Sequence, residues 1–335
     1  MQNGKVSIII PFKNTAHFLP ECLDSIVNQT YGHWEVLAVN DHSSDESYEL
    51  LSSYSQKDER IKVFPNKGSG IITALQTGYA NSNGDFVTRM DSDDIMKPNR
   101  LKVMINSLNE NGKGHVAVGQ VKYFSNRGIS NGYERYEQWL NRLTSSGHNF
   151  DEIYKECVIP SPCWMVHREN FEDCEGFEPQ RYPEDYDLTF RFYEHGFQII
   201  PCDQVLHLWR DYDTRTSRTH EHYAQNYFLD IKLHYFLKLN HDTNRPLVIW
   251  GAGFKGKKIA KGLKKQGLDF VWLCDNPKKI GKSIYGKELV HFEALQNLDD
   301  PQSIITVANE DAQKEIRAYF SELRQSPMED YFFFC

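Results

Sequence analysis

The chain has 335 residues, of which 40% are hydrophobic, 13% aromatic and 25% charged; this excludes a disordered chain and supplies more material than one ordinary domain holds. The formal net charge of −8 excludes a protein coated with positive charge for nucleic acid, although residues 245–287 carry eleven basic and two acidic groups, a local net of +9. No apolar run reaches the ~20 residues of a bilayer span, no secretory leader is visible, and the seven scattered cysteines lack paired C-x-x-C spacing, so a cytoplasmic protein with reduced thiols is expected.

In chain order, the β-branched run Val6–Ile10 ends at Pro11 and reads as a strand buried on both faces. Leu19, Cys22, Leu23 and Ile26 recur at helical spacing over 19–29, and Trp34–Val39 supplies a second buried strand. The alternation continues with a helix over 45–57, a strand Ile61–Phe64, a helix over 71–81 and a strand Asp85–Met90. Such βαβ repetition predicts an open parallel sheet whose ligands lie beyond the carboxyl ends of the strands. Asn14, Asp41, Asn66 and Asp91-Ser-Asp-Asp94 fall at four of those ends. After about residue 205 the pattern loosens, a helix is expected over 223–239, and 240–246 reads as a linker between a first domain (1–240) and a second α/β domain (245–335).

Carboxylates at i and i+2 on a turn, here Asp91 and Asp93, can hold one hard divalent cation, Mn2+ or Mg2+, together with the oxygens of a diphosphate. The same turn also reads as an acidic helix cap that needs no metal. Tyr182-Pro-Glu-Asp-Tyr-Asp-Leu188 places a second group of carboxylates at the start of a helical run; helix capping is again the plain alternative. Trp164, in Ser161-Pro-Cys-Trp164, serves equally as core or as a ring that stacks on an acceptor.

The series Val6-Ser-Ile-Ile-Ile-Pro-Phe-Lys-Asn14, Val39-Asn-Asp-His-Ser-Ser-Asp45, Asn66-Lys-Gly-Ser-Gly70, Asn83-Gly-Asp85 and Met90-Asp-Ser-Asp-Asp94 resembles the successive motifs of the inverting family-2 glycosyltransferases, with order and spacing intact over roughly residues 5–220. The resemblance implies a GT-A fold, a mixed and mainly parallel sheet, and transfer of a hexose from a nucleotide-sugar, a UDP-sugar first, to an acceptor hydroxyl. It implies that Pro11, Phe12, Asn14, Asp41 and Asn66 cradle base and ribose, that Asp91 and Ser92 serve the diphosphate, and that Asp91 and Asp93 hold the metal. It makes Asp185 the general base, with Glu184 binding the acceptor or orienting the base, and Asp187 a weaker candidate. Asn40, His42 and Leu75 depart from the family's usual acid, glycine and arginine. Tyr212 stands near a position where the family usually has histidine, which leaves His207, Arg210, Arg215 and Arg218 as candidates for phosphate or metal contact.

Leu247–Gly256 forms a complete G-x-G-x-x-G after a strand and before a helix, and Asp275 ends the next strand, Phe270–Cys274. This predicts a small Rossmann-like domain and opens a rival reading, nucleotide binding or oxidoreductase activity, although no acid, base or cysteine of evident redox use accompanies the turn. Tyr133–Thr144, Pro160–Trp164, Pro183–Asp185 and Ile249–Gly256 together resemble the queuosine-tRNA galactosyltransferases, which implies tRNA as partner and the lysines of 255–287, Lys255, Lys257 and Lys258 foremost, with Arg210, as phosphate contacts. A solvated helix face explains the same lysines, and synthesis of surface polysaccharide or a lipid-linked glycan is the alternative use of the same transfer chemistry.

Overall fold

The structure is a computed structural model that describes residues 4–215 and 228–335. Its elements in the first unit are β1 (Val6–Phe12), α1 (Leu19–Val27), β2 (Trp34–Asn40), α2 (Ser47–Lys57), β3 (Ile61–Pro65), α3 (Ile71–Ala80), β4 (Phe86–Arg89), β5 (Ile95–Met96), α4 (Arg100–Asn111), β6 (His115–Phe124), α5 (Asn131–Ser146), β7 (Trp164–His167), α6 (Arg168–Asp173), α7 (Glu184–Glu194) and β8 (Gln198–Arg210). Among the described residues they build an eight-stranded sheet in the order β3-β2-β1-β4-β7-β6-β8-β5. The first four of these strands are parallel, as the βαβ pattern requires. β7 then runs antiparallel to β4 and β6, and β5 antiparallel to β8, so the sheet is mixed. The sequence pattern before residue 90 describes only the parallel half.

Side chains alternate across β1 because successive residues of a strand face opposite sides. Ile8, Ile10 and Phe12 join Trp34, Leu23, Met104 and Leu140 in one core layer. Ile9 joins Leu37, Leu75, Val87, Trp164 and Phe192 in the other. Helices therefore cover both faces, and the polar residues that close each strand are left at its end. Leu75, which occupies the place of the family's arginine, is wholly buried in the second layer.

The second unit contains α8 (Leu229–Leu239), β9 (Leu247–Trp250), α9 (Phe254–Lys265), β10 (Val271–Cys274), β11 (Ser283–Ile284), β12 (Lys287–His291), β13 (Gln302–Ile305), α10 (Glu310–Glu322) and β14 (Tyr331–Phe333). Its sheet order is β11-β12-β10-β9-β13-β14, with β9 parallel to both β10 and β13. This is the expected Rossmann-like arrangement. The unit also takes in residues 151–156 and α8, which the sequence reading placed in a domain ending at 240. The reason is packing: Tyr154 stacks on Phe334 with ring centroids 5.3 Å apart and donates to Asn240 Oδ1 at 2.6 Å, while Phe236 of α8 meets Phe332 edge to face. The expected helix start at Tyr223 lies outside the described residues.

Candidate active site

The ends of β1, β2 and β3 are tied to one another by side chains. Asp41, nearly buried, accepts from Asn66 Nδ2 at 2.7 Å and from the Gly70 N–H at 2.9 Å on its Oδ1, while Lys13 Nζ lies 3.7 Å from its Oδ2. Asn14 holds a left-handed φ of 53° and its Oδ1 accepts from the Ser44 N–H at 2.7 Å, joining the loops that follow β1 and β2. Pro11 and Phe12 close β1 beside them, but the Phe12 ring is in the core. Its part here is main-chain only, a carbonyl that accepts from the Asp41 N–H at 2.9 Å. Ser92 is buried and its Oγ accepts from Thr15 Oγ1 at 3.1 Å, binding the acid turn to the loop after β1.

The acid turn itself sorts its carboxylates into two kinds. Asp94 is fully buried: its Oδ1 accepts from the Arg210 N–H at 2.7 Å and its Oδ2 lies 2.9 Å from His207 Nε2. Arg100 Nη1 donates to His207 Nδ1 at 3.1 Å, so that ring nitrogen is the acceptor and Nε2–H must be the donor to Asp94. Burial and the adjacent Arg100 charge hold the His207 pKa well below the usual imidazole value, consistent with a neutral ring. Asp94 is therefore a brace between the turn, β8 and α4.

Asp91 and Asp93 are half-buried. Asp91 Oδ1 accepts from Arg89 Nε at 2.9 Å, and Asp93 Oδ2 accepts from the Tyr212 hydroxyl at 2.8 Å. Burial, then the charges of Asp94 and Asp91, push the Asp93 carboxyl up to about 7. Such crowding of negative charge would be relieved by a cation, and each carboxylate has one oxygen outside these bonds, so the chemistry of the pair suits a divalent ion. Among the described residues no group of three or more His, Cys, Asp or Glu side chains forms a self-sufficient metal site.

Arg89, at the end of β4, is the residue that the motif reading missed. Its side chain is 7% exposed, and Nη1 donates to Glu184 Oε1 at 2.8 Å while Nε holds Asp91. The DSDD turn and the first turn of α7 thus face one another across a single guanidinium. Asp185 follows Glu184, and its Oδ1 accepts from the Tyr186 N–H at 2.8 Å. Burial and the charge of Glu184 raise its pKa, opposed by Arg89. A buried cation two residues before a DxD turn was the available signal, since Arg is almost never buried without anionic partners.

Several expected contacts are absent. Trp164 does not reach an acceptor: it is 2% exposed, its Nε1 donates to the Ser161 carbonyl at 2.8 Å, and it stacks with Phe171. Asp187 is buried in ion pairs with Arg191 (2.9 Å) and Arg181 (3.3 Å), which removes it as a base. His207 is spent on Asp94 and Arg100. Arg210 donates to the Asp93 carbonyl at 2.7 Å, pairs with Glu21 and lies over the Phe18 and Phe124 rings, so it fastens the turn instead of reaching out for phosphate. Arg215 lies over Trp209 and Tyr123. Arg218 lies outside the described residues.

In the second unit, two carbonyls of the glycine turn are engaged by side chains of the same unit. The Gly251 carbonyl accepts from Trp272 Nε1 at 2.9 Å, and Lys279 Nζ donates to the Ala252 carbonyl at 3.0 Å. Lys257 is exposed, Lys255 half-buried, and Lys258 Nζ lies 3.6 Å from Asp230.

A mixed α/β sheet with an acid turn at a strand end, facing a carboxylate-bearing helix start, is the architecture of the nucleotide-diphospho-sugar transferase fold. The sequence profile of glycosyl transferase family 2 matches residues 7–174. The chain belongs to that family and has a GT-A fold, and it spans only about a quarter to a half of the length of the first curated relatives it matches. It is 35% identical over 214 residues to glycosyltransferase GlyA of Streptococcus pneumoniae serotype 4, spanning 62% of this chain and 31% of GlyA. It is 32% identical over 222 residues to GlyG of the same organism, spanning 64% of this chain and 73% of GlyG. Among solved structures, S. aureus TarS residues 1–349 with UDP-GlcNAc gives a TM-score of 0.55 at 18% identity, covering 78% of this chain and 72% of that one. The mannosyltransferase PcManGT of Pyrobaculum calidifontis with GDP-Man and Mn2+ gives 0.50 at 19% identity, covering 70% and 64%. These two likenesses concern the fold. No helix among the described residues is long and apolar enough to cross a membrane.

Proposed function

We propose that the chain is a metal-dependent, inverting hexosyltransferase that uses a nucleotide-sugar, a UDP-sugar first, and delivers the sugar to an acceptor hydroxyl. The observation that carries this reading is the Asp91–Arg89–Glu184 bridge, which ties the DSDD turn to the start of the helix that bears Asp185. Asp41, Asn66 and Asn14, with the main chain of Pro11 and Phe12, are assigned to base and ribose; Asp91 and Ser92 are assigned to the diphosphate. A divalent cation, Mn2+ or Mg2+, held by Asp91 and Asp93 would neutralise charge on the departing diphosphate.

Asp185 takes the acceptor hydroxyl proton as that oxygen bonds to the anomeric carbon and the bond from this carbon to the diphosphate oxygen breaks, inverting the centre. A carboxylate whose pKa is raised by burial and by Glu184 is a stronger proton acceptor than a solvated one, provided it stays ionised. Arg89 favours the ionised form. Glu184, fixed by Arg89, orients this end of α7 and contributes the acceptor contact.

For the acceptor we propose the queuosine base of tRNA. The support is the net charge of +9 over residues 245–287 and the presence of Lys255, Lys257, Lys258, Lys261, Lys264 and Lys265 on one helix of an acidic chain. Donor hydrolysis on adding UDP-galactose, UDP-glucose or GDP-mannose with manganese tests the transfer reading; no turnover with any nucleotide-sugar, beside NAD binding, would favour the rival dinucleotide reading. A salt-dependent shift of tRNA, lost when the lysines of 255–265 become glutamate, tests the acceptor. If there is no shift at low salt, the acceptor is instead a glycan of the surface-polysaccharide or lipid-linked kind.

A further inference from the structure

Arg89 has two anionic partners that belong to opposite halves of the proposed reaction. Its Nε and Nη2 both lie 2.9 Å from Asp91 Oδ1, and its Nη1 lies 2.8 Å from Glu184 Oε1. The side chains of Arg89 and Glu184 are 7% and 10% exposed, so water screens this bridge little. Two acids this close to a common guanidinium do not act independently, because what one gains from the cation depends on how the other holds it. One oxygen of Asp91 is already taken by Arg89, and a full positive charge lies beside the place where a divalent ion would approach.

We propose that Arg89 is a positioning residue that deliberately weakens and adjusts cation binding at Asp91 and ties it to the α7 helix start. It competes with the cation for Asp91 and at the same time is the counter-ion that keeps Glu184, and through it Asp185, in place. The inference rests on the reading of Asp91 and Asp93 as the metal pair. Glu184 has a share in metal affinity without being a ligand, since it draws the guanidinium away from Asp91. Changes at the two ends of the bridge therefore have opposite signs. Loss of the guanidinium frees Asp91 and tightens the ion; loss of the Glu184 charge lets Arg89 settle on Asp91 and loosens it.

The experiment is a titration of Mn2+ into the full chain with saturating UDP, followed by the paramagnetic resonance of free manganese, for the unaltered protein, Arg89→Met, Glu184→Gln and the double variant. Arg89→Met is expected to bind Mn2+ about five- to tenfold more tightly and Glu184→Gln about three- to fivefold more weakly, as unit charges near a dication in a partly desolvated crevice should. The double variant, which has no guanidinium for Glu184 to draw away, is expected to bind Mn2+ within about twofold of Arg89→Met. A merely structural role would weaken binding in every variant. Unchanged or weaker binding in Arg89→Met, with Glu184→Gln unaffected, overturns this inference alone. If Arg89→Met does not fold, Glu184→Gln decides by its sign, since unchanged or tighter binding there overturns it. Absence of manganese binding by the unaltered protein overturns the metal reading itself, and this inference with it.

Discussion

The DSDD turn of the first unit and the glycine turn of the second both follow the end of a parallel strand, the first leading into the short strand β5 and the second into the helix α9. They differ in what arrives from elsewhere in the chain. At Asp91–Asp94 the partners come from β4, from β8 and from Tyr212 just after it, so three carboxylates acquire three environments: Asp91 on Arg89, Asp93 on Tyr212 and Asp94 on His207. At Gly251–Gly256 the side-chain partners come from within the unit and take only two carbonyls, that of Gly251 from Trp272 and that of Ala252 from Lys279. A motif acquires chemistry when distant side chains leave some of its polar atoms uncommitted.

The sharpest break of that contrast is Asp185→Asn. If Asp185 is the base, kcat for transfer falls by about 10³-fold while UDP binding is retained, because a positioned base contributes on the order of 10²–10⁴. The measurement is steady-state transfer together with calorimetric UDP binding. Loss of binding in proportion to rate would mean that the residue holds α7 and not the proton. Next is His207→Leu, which strands a buried carboxylate and one arm of Arg100. A destabilisation of about 3 kcal/mol is expected, read as a lowered Tm of the first unit. A loss under ~1 kcal/mol would show that the Asp94 brace is dispensable.

A smaller effect separates Asp93 from its neighbour through pH. Its folded-state carboxyl is raised to about 7, above its unfolded value, so the native state holds more protons between roughly pH 4 and 7. Stability from this group is full below that window and is lost as pH rises through about 7. Asp93→Asn, whose amide oxygen can still accept from Tyr212, should therefore raise the Tm of the metal-free protein at pH 7.5 and leave it unchanged at pH 4. An equal rise at both values would assign the gain to packing.

How far these differences could be read in advance depends on the kind of interaction. The parallel half of the sheet is written in unbroken β-branched runs and helical spacings, and Asp41, Asn66, Asp91 and Asp185 mark themselves by standing at strand ends or a helix start. β7 and its antiparallel pairing carry no such signal, because Trp164–His167 is four residues long and its direction is set by pairing with β4 and β6. Arg89, His207 and Arg210 escape for another reason. Their partners are 95, 113 and 117 residues away, at Glu184, Asp94 and Asp93, and no local period encodes a contact at that separation. Trp164 stays open in the sequence for a different reason: aromatic rings serve cores and ligand platforms alike, and only burial decides between them, here for the core.

The smallest prediction probes the second turn by two of its glycines. A Cβ at Gly256 would stand 2.0 Å from the Gly251 carbonyl oxygen, so Gly256→Ala must push α9 away from β9 and should destabilise the second unit by about 2 kcal/mol. Gly253 has φ −81° and nothing within 4 Å of an added Cβ, so Gly253→Ala should change stability by less than about 0.5 kcal/mol. Chemical denaturation of both variants measures the pair. The structural requirement for glycine thus falls on the first position, where Gly251 has a φ of 121°, and on the third, and not on the second, which in a phosphate-binding turn is the glycine that lets a pyrophosphate approach the backbone. If NAD, UDP or another nucleotide protects the unaltered second turn from unfolding and fails to protect Gly253→Ala, the turn is a binding site and its likeness to the acid turn becomes functional. Equal melting of the two proteins with and without nucleotide leaves Gly256 as the residue that explains the motif, through the close packing of α9 on β9.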